Sequence, residues 1–151
     1  MKPLFVLVVV FIISALILKL VAGQVDYSFA ARIAMACMLV FTAIGHFTFT
    51  EGMSAMLPDF LPKKKELVLI TGLVEIALGV GLVFPQYKFA SAWILIVFFI
   101  LVLPANIKAA MEHINYQTGE LDGPGISYLW FRVPLQLFFL LWVYFSAIFG
   151  K

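Results

Sequence analysis

Long apolar runs set the pattern of this chain, and its polar residues fall in short interruptions between them. Five runs, at about 4–22, 28–49, 66–84, 88–108 and 127–149, approach the roughly 20 residues an α-helix needs to cross about 30 Å of hydrocarbon. They predict helices rather than strands. No ten-residue alternation of polar and apolar positions appears, and a helix satisfies every backbone group within one span. The first run follows Lys2, and Val21-Ala22-Gly23 roughly resembles a leader cleavage site. The apolar stretch from Pro3 to Leu18 is longer than a leader core of about 7–15 residues, so the expectation is a retained membrane helix.

The interruptions carry their own pattern. Met53, Met56, Leu57, Phe60 and Leu61 follow the spacing of an apolar helical stripe, which Pro58 and Pro62 interrupt. With Lys63-Lys64-Lys65 at anionic headgroup level, this segment is expected to lie along the membrane interface. A tight turn at Pro85-Gln86-Tyr87 makes the third and fourth spans antiparallel neighbours. The link 110–126, with Gly119, Gly123, Pro124 and Gly125, is the long polar segment.

Composition narrows the class further. Of 151 residues 64% are hydrophobic and 12% charged, an excess of apolar surface that a water-soluble fold of this size could not hide. The fold expected is all-α, a polytopic transmembrane helical bundle in the lipid bilayer, divided as an N-terminal helix, 1–26, and a four-helix membrane domain, 27–151. A net charge of +2 offers no footprint for nucleic acid. A lone cysteine, Cys37, excludes an internal disulfide, a dithiol pair or a thiolate metal cluster. Lys2, Lys63, Lys64, Lys65, Lys108 and Arg132 fall on one side of the membrane, and Lys19, Arg32, Lys88 and Lys151 on the other. The positive-inside rule then predicts a multi-pass cell-membrane protein with a cytoplasmic N-terminus.

Ionisable groups inside membrane spans are costly and are by default candidate functional groups. Here they are Arg32, His46, Glu75 and Arg132, with Asn106 and Gln136 as neutral companions. Glu75 falls about 13 Å into its span by helical rise, where a carboxylate must be protonated or held by a cation. Thr71, Gly72 and Gly79 share its helical face, so that face can approach another helix closely. Arg32, Ala36, Ala43, His46 and Thr50 share a face of the second span, and Arg132 and Gln136 one of the fifth. Arg132 is the expected partner of Glu75. A kink at Pro104 could widen a pocket beside Asn106. For His46 a bond to a backbone carbonyl is favoured over a catalytic role, and a purely structural ion pair at Glu75 remains open beside a ligand-facing one. His46, Glu51 and His113 lack a recognised metal-ligand spacing, so no metal site is assigned. The phenylalanines, among them Phe98, Phe99, Phe131, Phe138 and Phe139, read as lipid-facing or packing surface. Tyr128, Trp130, Trp142 and Tyr144 read as interfacial belt residues.

Gly45-His46-Phe47, Met56-Leu57-Pro58 with Leu61-Pro62, Thr71-Gly72-Leu73-Val74-Glu75, and Pro104-Ala105-Asn106-Ile107 resemble, in order and spacing, the landmarks of the DoxX-like membrane proteins. The resemblance covers about 28–149, a four-helix unit, and leaves the first helix as an extra span. It implies an accessory or membrane-anchoring component of a quinone- or sulfur-linked redox system, with a redox partner protein and a quinone as the cofactor such a system would bring. The layout is also similar to that of sterol-binding membrane proteins with buried acids. That likeness implies the alternative: a binder of, or enzyme for, a hydrophobic small molecule, with an intramembrane pocket around Glu75. No residue pattern names a catalytic group.

Overall fold

The computed structural model describes residues 2–150. Met1 and Lys151, the outer limits of the two expected units, and with Lys151 one residue of the charge count, lie outside the described residues. Every regular element among those residues is helical: α1 (Lys2–Ala22), α2 (Tyr27–Thr48), α3 (Thr50–Met56), α4 (Lys64–Val83), α5 (Lys88–Met111) and α6 (Leu129–Val143). A single turn, Ile126–Tyr128, leads into α6, and a π-helical stretch, Tyr144–Phe149, continues it. Five helical segments, with Ile126–Phe149 taken as one, are long and apolar enough to cross a membrane. A lipid bilayer is the environment they suit.

Local chemistry explains the boundaries. Asp26 opens α2 by accepting the Phe29 amide at 2.8 Å. Pro85 follows the end of α4, and a short turn returns the chain into α5. The apolar stripe predicted over 53–61 is only partly helical, because α3 stops at Met56. Leu57 is extended (φ −71°, ψ 144°), as steric conflict with the ring of Pro58 requires.

The helices form a ring in which α2 packs on α4, α4 on α5, and α5 on α6; the π-helical end of α6 closes against α2 and α5. Met35, Met38, Leu39, Leu82, Leu95 and Val143 are its wholly buried large side chains, and Leu7 of α1 joins the same cluster. Helix α1 lies outside this ring against α2. Only Leu7 and Ser14 of α1 are buried, and Phe11 meets Trp142 edge-on with ring centres 5.3 Å apart. Among the aromatic residues, Phe99 and Phe139 are buried, and Trp130 is exposed as a belt residue should be. Trp142 differs: its indole donates to the Ala31 carbonyl at 3.0 Å and ties α6 to α2.

At the face where α1 begins, α3 and the two long connections form a crown over the bundle. Gly52 permits the close approach: a Cβ there would fall 2.2 Å from the Tyr116 carbonyl oxygen of the link to α6. Lys64 and Lys108 both meet Asp59, at 2.7 and 2.9 Å, and Lys108 also donates to the Leu57 carbonyl at 3.1 Å. Lys63 pairs with Glu66 and Lys65 with Glu51. Each lysine of the triplet is therefore paired with an acid of this same chain.

The hydrogen bond from Lys64, joined by Lys108, pushes the Asp59 carboxyl down to about 2. A depressed carboxylate stabilises the folded state above the ordinary aspartate range, and that contribution is lost as pH falls through the folded value. Limited proteolysis of the 57–63 connection should accelerate as pH drops from about 4 toward 2, and Asp59→Asn should be cleaved faster than wild type above that window, the two converging as the pH nears 2.

Candidate functional site: the intramembrane polar groups

Glu75 lies on the face of α4 that packs on α2, about 16 Å from the start of a helix about 30 Å long. Its side chain is 9% exposed and turns inward, but its partner is not an arginine. His46 Nε2 stands 3.5 Å from one carboxyl oxygen, and the Thr42 hydroxyl lies 2.9 Å from the other. The pairing expected with Arg132 is thus overturned, and the reason is register. Gly72 sits under His46, where a Cβ would lie 2.8 Å from the His46 Cβ. The small residue lets α2 approach until the imidazole reaches the carboxyl group.

The far side of the ring completes the arrangement. His46 Nδ1 lies 2.9 Å from the Val68 carbonyl and 3.1 Å from Thr71 Oγ1. A carbonyl only accepts, so Nδ1 carries a proton and donates it. The Thr71 hydroxyl also donates to Val68, at 2.8 Å. In a neutral ring Nε2 is then an acceptor facing a carboxyl oxygen, and two acceptors repel. One proton must therefore lie between His46 and Glu75, as an ion pair or as two neutral groups, and either way the pair has no net charge. The bond to a backbone carbonyl favoured for His46 is present. Thr42 went unnoticed, although its place four residues before His46 on the same helical face was a readable signal.

The remaining candidates form separate groups. Arg132 Nη2 donates to Asn106 Oδ1 at 3.1 Å, joining α6 to α5. One turn further, Gln136 donates to the Phe99 carbonyl at 2.6 Å, next to the Ile100 carbonyl that Pro104 cannot satisfy. Helix α5 runs through Pro104 without a break. Arg32, on the opposite half of α2, donates to the Leu82 carbonyl at the end of α4 and to Ser28, both at 3.4 Å, and lies over the Phe29 ring. A cation there complements the carbonyl end of the α4 dipole. Among the described residues no three His, Cys, Asp or Glu side chains gather as metal ligands. Glu51 pairs with Lys65, and His113 stands against Gly123 and Gly125. Two open apolar grooves mark the outer surface, one of about 300 Å³ between Leu4 of α1 and Phe131, Pro134 and Phe138 of α6, the other of about 440 Å³ beside Cys37. Neither is lined by the six candidates.

The sequence pattern of one protein family matches residues 35–147, most of the chain. The chain belongs to DUF8561, a domain of unknown function. The DUF8561 match begins within α2 and ends in the π-helical close of α6, so it takes in His46, Glu75, Asn106, Arg132 and Gln136 and leaves α1 and Arg32 outside. No curated protein and no solved structure matches the chain.

Within this DUF8561 bundle, coupling between positions separates the observed pairing from the one expected. Glu75→Gln and His46→Gln should each lower the unfolding temperature in detergent. A double-mutant cycle should return a coupling of about 1 kcal/mol or more, above the roughly 0.6 average of interhelical hydrogen bonds in membranes. Glu75→Gln with Arg132→Gln should add within about 0.5 kcal/mol.

Proposed function

We propose that this protein is an accessory or anchoring subunit of a quinone- or sulfur-linked redox system in the cell membrane, with its N-terminal end on the cytoplasmic side. The observation that carries the proposal is the closure of the α2–α4 contact: both Glu75 oxygens and both His46 ring nitrogens meet groups of this same chain. Such groups tie helices together and leave little for chemistry on a substrate held between α2 and α4. The landmarks shared with DoxX-like proteins supply the redox context. Electron carriers then belong to a partner, since one cysteine cannot form a dithiol pair. The alternative, a hydrophobic molecule bound around Glu75, requires the α2–α4 contact to open.

Orientation rests on basic residues. Lys2, Lys63, Lys64, Lys65, Lys108 and Arg132 lie toward the face where α1 begins, a bias that counts lysine and arginine whatever acids accompany them.

Purification in mild detergent from the native membrane tests the proposal. A redox polypeptide should travel in stoichiometric amount with the wild-type protein and with Glu75→Gln. A chain that runs alone, or with a small molecule lost in Glu75→Gln, would contradict it. For orientation, single cysteines in a Cys37→Ala background are decisive. A membrane-impermeant maleimide should label Tyr87→Cys on intact cells, and Thr118→Cys only after the inner face is opened.

A further inference from the structure

The α5–α6 contact holds an imbalance that the α2–α4 contact does not. Asn106 is 6% exposed, and its side-chain nitrogen is buried without a hydrogen-bond partner. Its orientation is set by Arg132, which donates to Asn106 Oδ1. Turning the amide over would put an NH₂ group against a guanidinium, donor against donor. Arg132 itself is half-buried, and no carboxylate pairs with it among the described residues. A guanidinium offers five N–H donors, and the chain accepts one of them here. The place thus has a surplus of donors and an uncompensated positive charge. Leaving a buried donor unmade is costly, and a cation at membrane depth is more so.

We propose that Asn106 and Arg132 form a binding site for a phosphate group, with the Arg132 fork and the Asn106 amide donating to its oxygens. Charge selects the ligand. A neutral carbonyl would satisfy the amide but leave the arginine uncompensated, whereas a phosphodiester answers both, and arginine presents parallel donors to phosphate oxygens. By helical rise Asn106 lies about 8 Å inside the end of α5 and Arg132 about 5 Å inside the start of α6. An arginine at that depth extends its head toward the headgroup level while its stem stays in hydrocarbon. The phosphate can belong to a phospholipid of that leaflet or be free in solution. The site stands apart from Glu75 and does not depend on a redox partner.

The delipidated full-length protein in mild detergent provides the assay, read as thermal unfolding against added phosphatidylglycerol, phosphatidylcholine or inorganic phosphate. Phosphatidylglycerol should raise the unfolding temperature at lower concentration than phosphatidylcholine, and inorganic phosphate should leave it unchanged if the source is lipid. Stabilisation by inorganic phosphate alone would retain the site and assign a soluble source. Arg132→Gln should raise the half-saturating concentration about tenfold or more, the loss expected of a charged hydrogen bond. Asn106→Asp guards against a folding defect, because it supplies Arg132 with an internal carboxylate: it should fold at least as stably as wild type yet lose the response. A response to lipid and phosphate that is the same in wild type, Asn106→Asp and Arg132→Gln, or absent from all three, overturns the proposal.

Discussion

A carboxylate halfway along a membrane span cannot be left to the acyl chains, and the position of Glu75 makes that constraint govern the contact of α2 with α4. The acid must find partners on a neighbouring helix at its own depth, so the register of the two helices is not free. Thr42 and His46, one helical turn apart on α2, meet the two carboxyl oxygens, and the Val68 carbonyl with Thr71 holds the far side of the imidazole. Sliding α2 along α4 by one turn would strand the acid, a mismatch that apolar packing alone penalises weakly in lipid. Small residues make the contact close enough: Gly72 beneath His46, and Gly79 where an added Cβ would come within 3.3 Å of the Ala36 carbonyl.

The other polar groups solve the same problem by different means. Arg32 turns its charge onto the carbonyl end of α4, Gln136 covers the backbone beside a proline, and Trp142 spends its one donor on α2. Each ties two elements of the ring together. Outside the hydrocarbon the chain can use ion pairs freely, and at the crown it does, with Asp59 bridging α4 and α5 through Lys64 and Lys108. The α5–α6 contact differs in what it leaves unmade: Arg132, like Arg32, finds a neutral acceptor, but here the Asn106 side-chain nitrogen stays buried without a partner.

Much of the fold was legible because the requirement to cross hydrocarbon is written in long apolar runs. The expected spans and observed helices agree within about three residues at each end, a usual scatter for helix limits. The inward turn of Glu75 was legible too, from the small residues sharing its face. The identity of its partner was not. Arginine is the stronger counter-ion on charge alone, and only the interhelical register, set by Gly72 against His46, reveals that neither arginine is in position. The segment after α2 was misjudged for a local reason: the apolar spacing continues to Leu61, but Pro58 dictates an extended Leu57 and ends α3 at Met56. The partners of the lysine triplet were only partly legible: Glu66 stands three residues after Lys63, whereas Glu51 and Asp59 reach Lys65 and Lys64 only at the crown.

Nitrogen NMR of the histidine side chains, with the protein in lipid nanodiscs, tests the central contact most directly. The Nδ1 resonance of His46 should be that of a protonated, hydrogen-bonded nitrogen. Glu75→Gln should shift Nε2 and leave Nδ1 protonated, and Arg132→Gln should shift neither. A His46 ring indifferent to Glu75→Gln, or one that responds to Arg132→Gln instead, would contradict the pairing on which this account of the bundle rests.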